Sequence, residues 1–206
     1  KLAKINNELS NELLKLQNKV FLDKESLSLN ADLMALSNEV KNLSVGHEAL
    51  VLQIASFDLK NYLCCSAHTL YLKNPQNLKL INNLPVASEK TFIGQTLKID
   101  FNLIKVILFS DASHILPVKV NDLYCNAKGA GKPLLIICKV NQNTDLLAVK
   151  NNDIVFTSGL GGIFPRNTPI GRILSIKNLE VDNTEITILL DANPQENNFF
   201  GVLLSL

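Results

Sequence analysis

The sequence predicts a mainly β fold in which a long N-terminal coiled-coil helix precedes two small, related β-barrels. Residues 1 to about 52 place apolar side chains with a period near 3.5, which is typical of a coiled coil. The rest of the chain consists of short aliphatic runs separated by Asn, Pro and Gly turn signals, which favours many short strands. Two of these runs resemble each other, which indicates a duplicated unit. The expected domains are a coiled coil at 1–52, a first barrel at 53–118 and a second barrel at 119–206.

Composition supports a folded protein and argues against a nucleic-acid partner. The 206 residues are 47% hydrophobic, enough to bury real cores. Lys plus Arg number 20 against 19 Asp plus Glu, so the net charge of +1 provides no positive field for a polyanion. No run of about 18 apolar residues occurs, which predicts that this stretch does not cross a membrane. Because Lys1 stands within the heptad pattern and is not a methionine, the natural N-terminus is expected to lie upstream, and any signal peptide or membrane anchor would lie there.

The coiled-coil region predicts self-association. Its apolar stripe is interrupted near residues 23–26 and resumes in a shifted register, where Leu33, Leu36, Val40 and Leu43 form the predicted dimerisation seam. A helix with so narrow an apolar seam needs a partner in water. Either a second copy or the following domain can cover it, and the sustained heptad pattern favours a homodimer.

The β region contains nine candidate strands and no helix of normal length. The strands are expected at 69–72, 92–99, 105–109, 116–120, 134–139, 154–157, 170–176, 186–190 and 199–204. Many short strands at this spacing indicate closed barrels or sandwiches, which remove exposed sheet edges. The terminal strand could complete the second barrel or return to the first.

An internal repeat favours two barrels over one. The segment Ile93-Gly94-Gln95 aligns with Ile170-Gly171-Arg172, and an aliphatic strand ending in Asp-Ala follows each of them. Glycine at matching positions allows a strand to bend sharply, as barrel corners require.

Cysteine, histidine and glycine patterns provide no metal or cofactor site. The four cysteines are too few and too irregular for a disulfide framework or a zinc site, so buried unpaired cysteines are expected, with a Cys125–Cys138 disulfide as the alternative. Three scattered histidines and no acidic cluster predict no bound metal. The segment 129–132 reads GAGK, but it lacks the spacing and the following helix of a phosphate-binding loop, so a turn is predicted.

A chymotrypsin-like double-barrel hydrolase is the enzymatic alternative. Such an enzyme needs a serine directly before Gly-Gly, with a histidine and a carboxylate in reach. Here Leu160 occupies that position and Ser158 is displaced, while His68 and His114 are the only histidines of the β region. No catalytic residue is therefore predicted, and a non-enzymatic interaction module is favoured.

The loop from Thr157 to Pro165, with the sequence TSGLGGIFP, is the strongest candidate for partner binding. Its glycines allow tight turns, and Leu160, Ile163 and Phe164 are large apolar residues set among them. These side chains can pack in a barrel, the commoner case for Phe and Ile, or can face a partner. The residues of the motif loop are Thr157, Ser158, Gly159, Leu160, Gly161, Gly162, Ile163, Phe164 and Pro165.

The stretch DIVFTSGLGGIFP at 153–165, followed by Ile170-Gly171-Arg172, resembles the signature of the MreC family of rod shape-determining proteins. The segment 92–120 and the order of coiled coil before two β domains are also similar to that family. The sequence departs from the family pattern at 82–83 and 167–168, where a glycine is usual. Asn tolerates left-handed backbone conformations, so these changes are conservative.

The resemblance implies a non-enzymatic scaffold of the cell-elongation complex. It implies an anchor in the bacterial inner membrane and a soluble part in the periplasm. The implied partners are a second copy through the helix, an elongation-type penicillin-binding transpeptidase, MreD and, indirectly, MreB.

Overall fold

A computed structural model describes residues 12–13, 15–16, 48–75, 80–89, 91–100, 102–141, 149–179 and 183–204. The four described residues before position 48 are helical, and Leu13 and Leu16 among them are exposed. The predicted dimerisation residues Leu33, Leu36, Val40 and Leu43 lie outside the described residues. No helix within the described ranges is long and apolar enough to cross a membrane.

Twelve strands and one short helix make up the described β region. They are β1 (Ala49–Phe57), α1 (Leu59–Cys64), β2 (Thr69–Lys73), β3 (Pro85–Ser88), β4 (Thr91–Ile99), β5 (Leu103–Leu108), β6 (Ile115–Val120), β7 (Leu123–Gly129), β8 (Leu135–Asn141), β9 (Ile154–Thr157), β10 (Pro169–Asn178), β11 (Asn183–Leu190) and β12 (Phe199–Leu203). Strands β1, β3 and β7 were not among the candidates. Strand β3 is only four residues long, and β7 (LYCNAKG) buries few large apolar side chains, so neither has a strong apolar pattern.

The strands form two closed antiparallel barrels, which confirms the two-barrel prediction. The first barrel has the order β1-β12-β3-β4-β5-β2, and the second has the order β10-β11-β8-β7-β6-β9. Inward side chains alternate with outward ones, as in β11, where every second residue from Thr184 to Leu190 is buried. Closure leaves neither sheet with a free edge.

The two barrels exchange one strand each. Strands β1 to β5 occupy the same positions in the first barrel as β7 to β11 occupy in the second. The sixth position lies between β1 and β3 in one barrel and between β7 and β9 in the other. It is filled by β12 in the first barrel and by β6 in the second. Each repeat therefore donates its sixth strand to the other repeat's barrel.

This exchange sets the boundaries of the barrels. The first barrel begins at Ala49 rather than at residue 53, and it includes the terminal strand. The second barrel begins at Ile115 rather than at residue 119. Of the two alternatives for the terminal strand, the structure has the return to the first barrel.

The repeated glycines lie where the backbone of a paired strand approaches closely. A Cβ on Gly94 would lie 2.0 Å from the carbonyl oxygen of Ile107, and one on Gly171 would lie 2.2 Å from that of Leu189. Both distances are shorter than any real Cβ contact, so no other residue fits without moving a backbone. The matching contacts explain why the I-G-x pattern recurs in both repeats.

One apolar core runs across the junction of the barrels. Phe92 of β4 and Phe109, just after β5, belong to the same buried cluster as the inward residues of the second barrel. A second cluster fills the first barrel and includes Phe200 of the exchanged strand β12, which is 0% exposed. The barrels thus form one continuously packed body.

The structure pairs all four cysteines, so the expectation that they are unpaired is wrong. Cys125 on β7 and Cys138 on β8 form a cross-strand disulfide, the alternative considered from the sequence. Their Cα atoms lie 6.2 Å apart, because β7 and β8 are neighbouring strands of the second barrel. Cys64 and Cys65 form a disulfide between adjacent residues.

Candidate functional site

The motif loop is held at its base by Thr157, the last residue of β9. Its side chain is fully buried, and its hydroxyl oxygen accepts the backbone N–H of Thr168 at 3.0 Å. The same hydroxyl donates to the carbonyl of Pro165. Two further backbone bonds join Thr157 to the far side of the loop, to Asn167 and Thr168. The two ends of the loop are therefore tied together.

Ser158 fixes the direction in which the loop leaves the barrel. Its hydroxyl donates to the carbonyl of Pro117 on β6 at 3.0 Å and accepts the backbone N–H of Leu160 at 3.1 Å. Gly161 and Gly162 have φ of 90° and 68°, and added Cβ atoms would meet nothing within 4 Å. These two glycines are needed for their left-handed backbone, and they leave a bare peptide backbone at the tip of the loop.

The three residues predicted as partner contacts have different environments. Leu160 is 60% exposed, Ile163 is half-buried against the core, and Phe164 is only 6% exposed. The ring of Phe164 packs edge-to-face on Phe92 and Phe109, with centroid distances of 5.5 and 5.1 Å. Phe164 thus anchors the loop to the junction of the barrels, because this aromatic cluster removes its ring from solvent.

An open groove of about 580 Å³ lies beside the loop. It is lined by Leu160, Gly162, Phe164 and Pro165 of the loop, together with Tyr124 of β7 and Arg166. An exposed leucine beside a concave, mostly apolar surface fits a binding site, since ligand sites are concave and lined mainly by apolar groups.

Sequence reasoning missed Tyr124 and Arg166, which line this groove, and Lys119, which contacts the Tyr124 ring. Arg166 donates a hydrogen bond to the Tyr124 hydroxyl at 3.1 Å, and the Lys119 ammonium lies 5.3 Å from the centroid of the Tyr124 ring. Desolvation raises the pKa of Tyr124, but hydrogen bonds and charges of Arg166 and Lys119 outweigh it, so the pKa lies below its usual value. Tyr124 belongs to β7, Lys119 to β6 and Arg166 to the loop: strand pairing places Lys119 opposite Tyr124, and the path of the loop brings Arg166 to the Tyr124 hydroxyl.

The geometry does not favour the hydrolase alternative. Ser158 is 3% exposed, and both described bonds of its hydroxyl go to the backbone. A serine and a histidine do meet elsewhere, where the Ser110 hydroxyl lies 2.8 Å from Nδ1 of His68. Both residues are buried, and Asp111 accepts the backbone N–H of His68 and not a ring N–H. That cluster joins β2 to the segment between the barrels, out of reach of a substrate.

No group of three or more His, Cys, Asp or Glu residues within the described ranges is arranged to hold a metal ion. A second concave surface is lined by Glu89, Asp191 and Glu196, but its buried polar residues Ser88 and Thr91 already bond to Asn197 and to the Pro169 carbonyl. The groove beside the motif loop is therefore the best candidate site.

Comparison with known proteins matches this fold and this loop to one family. A family model described as "Rod shape-determining protein MreC, barrel core" matches residues 66–203. The chain is 34% identical over 113 residues to the cell shape-determining protein MreC of Escherichia coli (strain K12), which covers 53% of this chain. The matched stretch spans 29% of that relative's length.

Solved structures show the same fold. One named MreC superposes with a TM-score of 0.73 at 21% identity, covering 86% of this chain and 98% of its own. Another, a complex between penicillin-binding protein PBP2 and MreC from Helicobacter pylori, has a TM-score of 0.55 at 18% identity, covering 76% of this chain and 99% of the matched one.

Proposed function

The chain belongs to the MreC family, and we propose on that premise that it is a non-enzymatic scaffold of the cell-elongation complex, which maintains cell shape by dimerising and by binding the peptidoglycan-synthesis machinery. An elongation-type penicillin-binding transpeptidase is the proposed main partner. The H. pylori relative whose structure was solved with PBP2 supports this choice. MreD and, indirectly, MreB are the further proposed partners.

The observation that carries the proposal is the motif loop on its double-barrel support. The barrels share a core and exchange strands, so they hold the loop on a rigid body. Leu160 projects from that body with 60% of its surface exposed, next to an open groove. A rigid surface with one exposed apolar anchor suits binding, because little conformational entropy is lost when a partner docks.

The proposed compartment is the periplasm, with an anchor in the inner membrane. The Cys125–Cys138 disulfide supports this, because structural disulfides persist in oxidising compartments and are rare in the cytoplasm.

The proposed dimer uses the coiled-coil seam at Leu33, Leu36, Val40 and Leu43. Full burial of such side chains is worth about 1.5–3 kcal/mol each, which an isolated helix cannot obtain. Leu13 and Leu16, described upstream on the same heptad pattern, are 57% and 63% exposed in the single chain. Apolar helix residues exposed to this extent are consistent with a second copy covering them.

Binding to the transpeptidase tests the main proposal. The periplasmic part of the elongation-type transpeptidase from the same genome is immobilised, and binding of the chain is measured by biolayer interferometry. Leu160→Asp should weaken binding at least tenfold, because a charge replaces an apolar anchor. Leu174→Asp is the matched control, since Leu174 is 50% exposed on β10 of the same barrel. If the wild-type chain fails to bind, the transpeptidase is not a direct partner.

Crosslinking tests the dimer separately. A benzophenone side chain placed at position 36 or 40 of the full-length, membrane-anchored protein should give a covalent dimer on irradiation. Placement at Ser56, an exposed residue of β1, is the control and should give none. Equal yields at all three positions would count against the seam.

A further inference from the structure

We propose that the groove beside the motif loop binds a peptide segment carrying a large apolar side chain next to a carboxylate. This site, named the loop groove, is lined by Tyr124, Leu160, Phe164, Pro165 and Arg166. This deepens the proposed function, since the peptide is taken to be a segment of a protein that the scaffold holds.

The apolar half of the recognition comes from the walls of the loop groove. Leu160 projects beside it, and the ring of Phe164 is fixed below by the aromatic cluster at the junction. A cavity volume of about 580 Å³ is larger than one leucine or phenylalanine side chain. An apolar side chain seated there would cover Leu160, which water now contacts.

The backbone at the loop tip adds polar recognition. Because Gly161 and Gly162 carry no side chain and face open space, a partner's main chain can approach them closely. Their neighbour Gly159 is more confined, since an added Cβ would lie 2.8 Å from the Cβ of Arg166. This close packing sets the side chain of Arg166 at the edge of the loop groove.

The carboxylate half comes from Arg166, which lines the loop groove, and from Lys119, which like Arg166 contacts Tyr124. The ion pairs among the described residues join Lys98 to Asp100 and Lys139 to Glu185, and neither Arg166 nor Lys119 takes part in one. Both cations instead interact with Tyr124, which is not a carboxylate. A guanidinium presents parallel N–H donors that match a carboxylate, so an acidic side chain or a chain terminus would complete the site.

A peptide is favoured over a lipid surface because the site is concave. Only one strongly exposed leucine, Leu160, stands at the loop groove, whereas a membrane-binding surface needs a broader apolar face with several basic residues around it. Binding to anionic lipid is therefore the alternative outcome of the test.

Selection from a phage-displayed library of random nonapeptides on the folded chain provides the test. Enriched sequences should place Asp or Glu within a few positions of Leu, Ile or Phe. Fluorescence polarisation then measures the affinity of the enriched synthetic peptides. Arg166→Gln should weaken binding about tenfold, the usual effect of losing one charge-assisted hydrogen bond. Leu160→Ser should weaken it to a similar extent.

The matched control is Arg172→Gln, which changes the chain's only other arginine, exposed on β10 away from the loop groove. It should leave peptide affinity unchanged, and circular dichroism checks that all variants are folded. Three results would overturn the inference: no enrichment of any peptide, enriched peptides without an acidic residue, or equal losses for both arginine variants. Arg166-dependent binding to phosphatidylglycerol vesicles without peptide binding would overturn it as well.

The outcomes separate this inference from the proposed function. If peptides bind in an Arg166-dependent way but the chain does not bind the transpeptidase, the loop groove is a peptide site and the transpeptidase is not its partner. If the chain binds the transpeptidase equally well after Arg166→Gln and no peptide is selected, the scaffold function stands but the loop groove is not the contact surface.

Discussion

Acidification from pH 7 to pH 5 should destabilise the protein through one buried histidine. His114 lies between the two barrels, directly before β6, and is 4% exposed. Neither of its ring nitrogens has a hydrogen-bond partner among the residues that the structure describes, and its ring centroid lies 5.3 Å from that of Phe109. Desolvation lowers the pKa of His114 from 6.5 to about 4, although the nearby Asp111 carboxylate opposes part of that shift.

The size and the sign of this destabilisation follow from proton linkage. Between pH 6.5 and 4 the unfolded chain binds a proton at His114 that the folded chain does not bind, so stability falls as the pH falls. At 1.36 kcal/mol per pKa unit, the full effect is about 3 kcal/mol. About 2 kcal/mol of it should already be lost at pH 5. Above pH 6.5 the histidine is neutral in both states, and its contribution is fully present.

Urea unfolding of the wild type and of His114→Leu, followed by far-UV circular dichroism, measures this effect. Leucine fills a similar volume and has no buried polar atom to leave unpaired, so the variant should be at least as stable as the wild type at pH 5. Other groups titrate equally in both proteins, and their effects cancel in the difference. The difference in the free energy of unfolding between the variant and the wild type should change by about 2 kcal/mol in favour of the variant between pH 7 and pH 5. A difference that stays constant over this range would refute the reasoning.

Three further predictions concern the barrels. Gly171→Ala should lower the free energy of unfolding by about 3 kcal/mol, because its Cβ would lie 2.2 Å from the Leu189 carbonyl oxygen. Gly161→Ala should lower it by only about 1–2 kcal/mol, because its left-handed backbone is the sole constraint at that position. Urea unfolding compares the two variants, and equal losses would contradict the steric explanation. Phe200→Ala should lower the free energy of unfolding by about 3–5 kcal/mol, because Phe200 is fully buried in the first barrel. Hydrogen exchange should become faster in β1 and β3, the two strands that β12 joins. Unchanged exchange in those strands would mean that the exchanged strand contributes little to closing the barrel. Reducing the disulfide between β7 and β8, which joins residues 13 positions apart, should lower the free energy of unfolding by about 3 kcal/mol. An unchanged urea midpoint in dithiothreitol would count against a structural role of this disulfide.

The sequence was informative wherever a local pattern has a local cause. The runs Ile93-Gly94-Gln95 and Ile170-Gly171-Arg172 predicted a duplicated barrel strand, and the structure shows the same close backbone crossing at both glycines. The motif loop was also recognisable, because its glycines and its Thr-Ser pair are consecutive in the chain and fix a local backbone path.

The candidate site was only partly predictable. Leu160 stood out as an apolar residue among glycines, but the same reasoning applied to Phe164, which the structure buries. Whether an apolar side chain in a loop faces solvent depends on what lies beneath it. Here that is the pair Phe92 and Phe109, from the other repeat, and no local pattern connects them to the loop.

The sequence by itself determined the family resemblance, the β class, the presence of two related barrels and the position of the motif loop. Only the tertiary structure decided which strands close each barrel and which polar residues meet at the loop groove. The exchange of β6 and β12 leaves no trace in either strand, because the alternating residues of β6 and the continuous apolar run of β12 fit either barrel equally well. Likewise, Lys119, Tyr124 and Arg166 meet because hydrogen bonds set the register of β6 against β7 and the loop folds back beside them. Contacts between residues far apart in sequence are selected by the packing of the whole chain, and a local pattern cannot encode them.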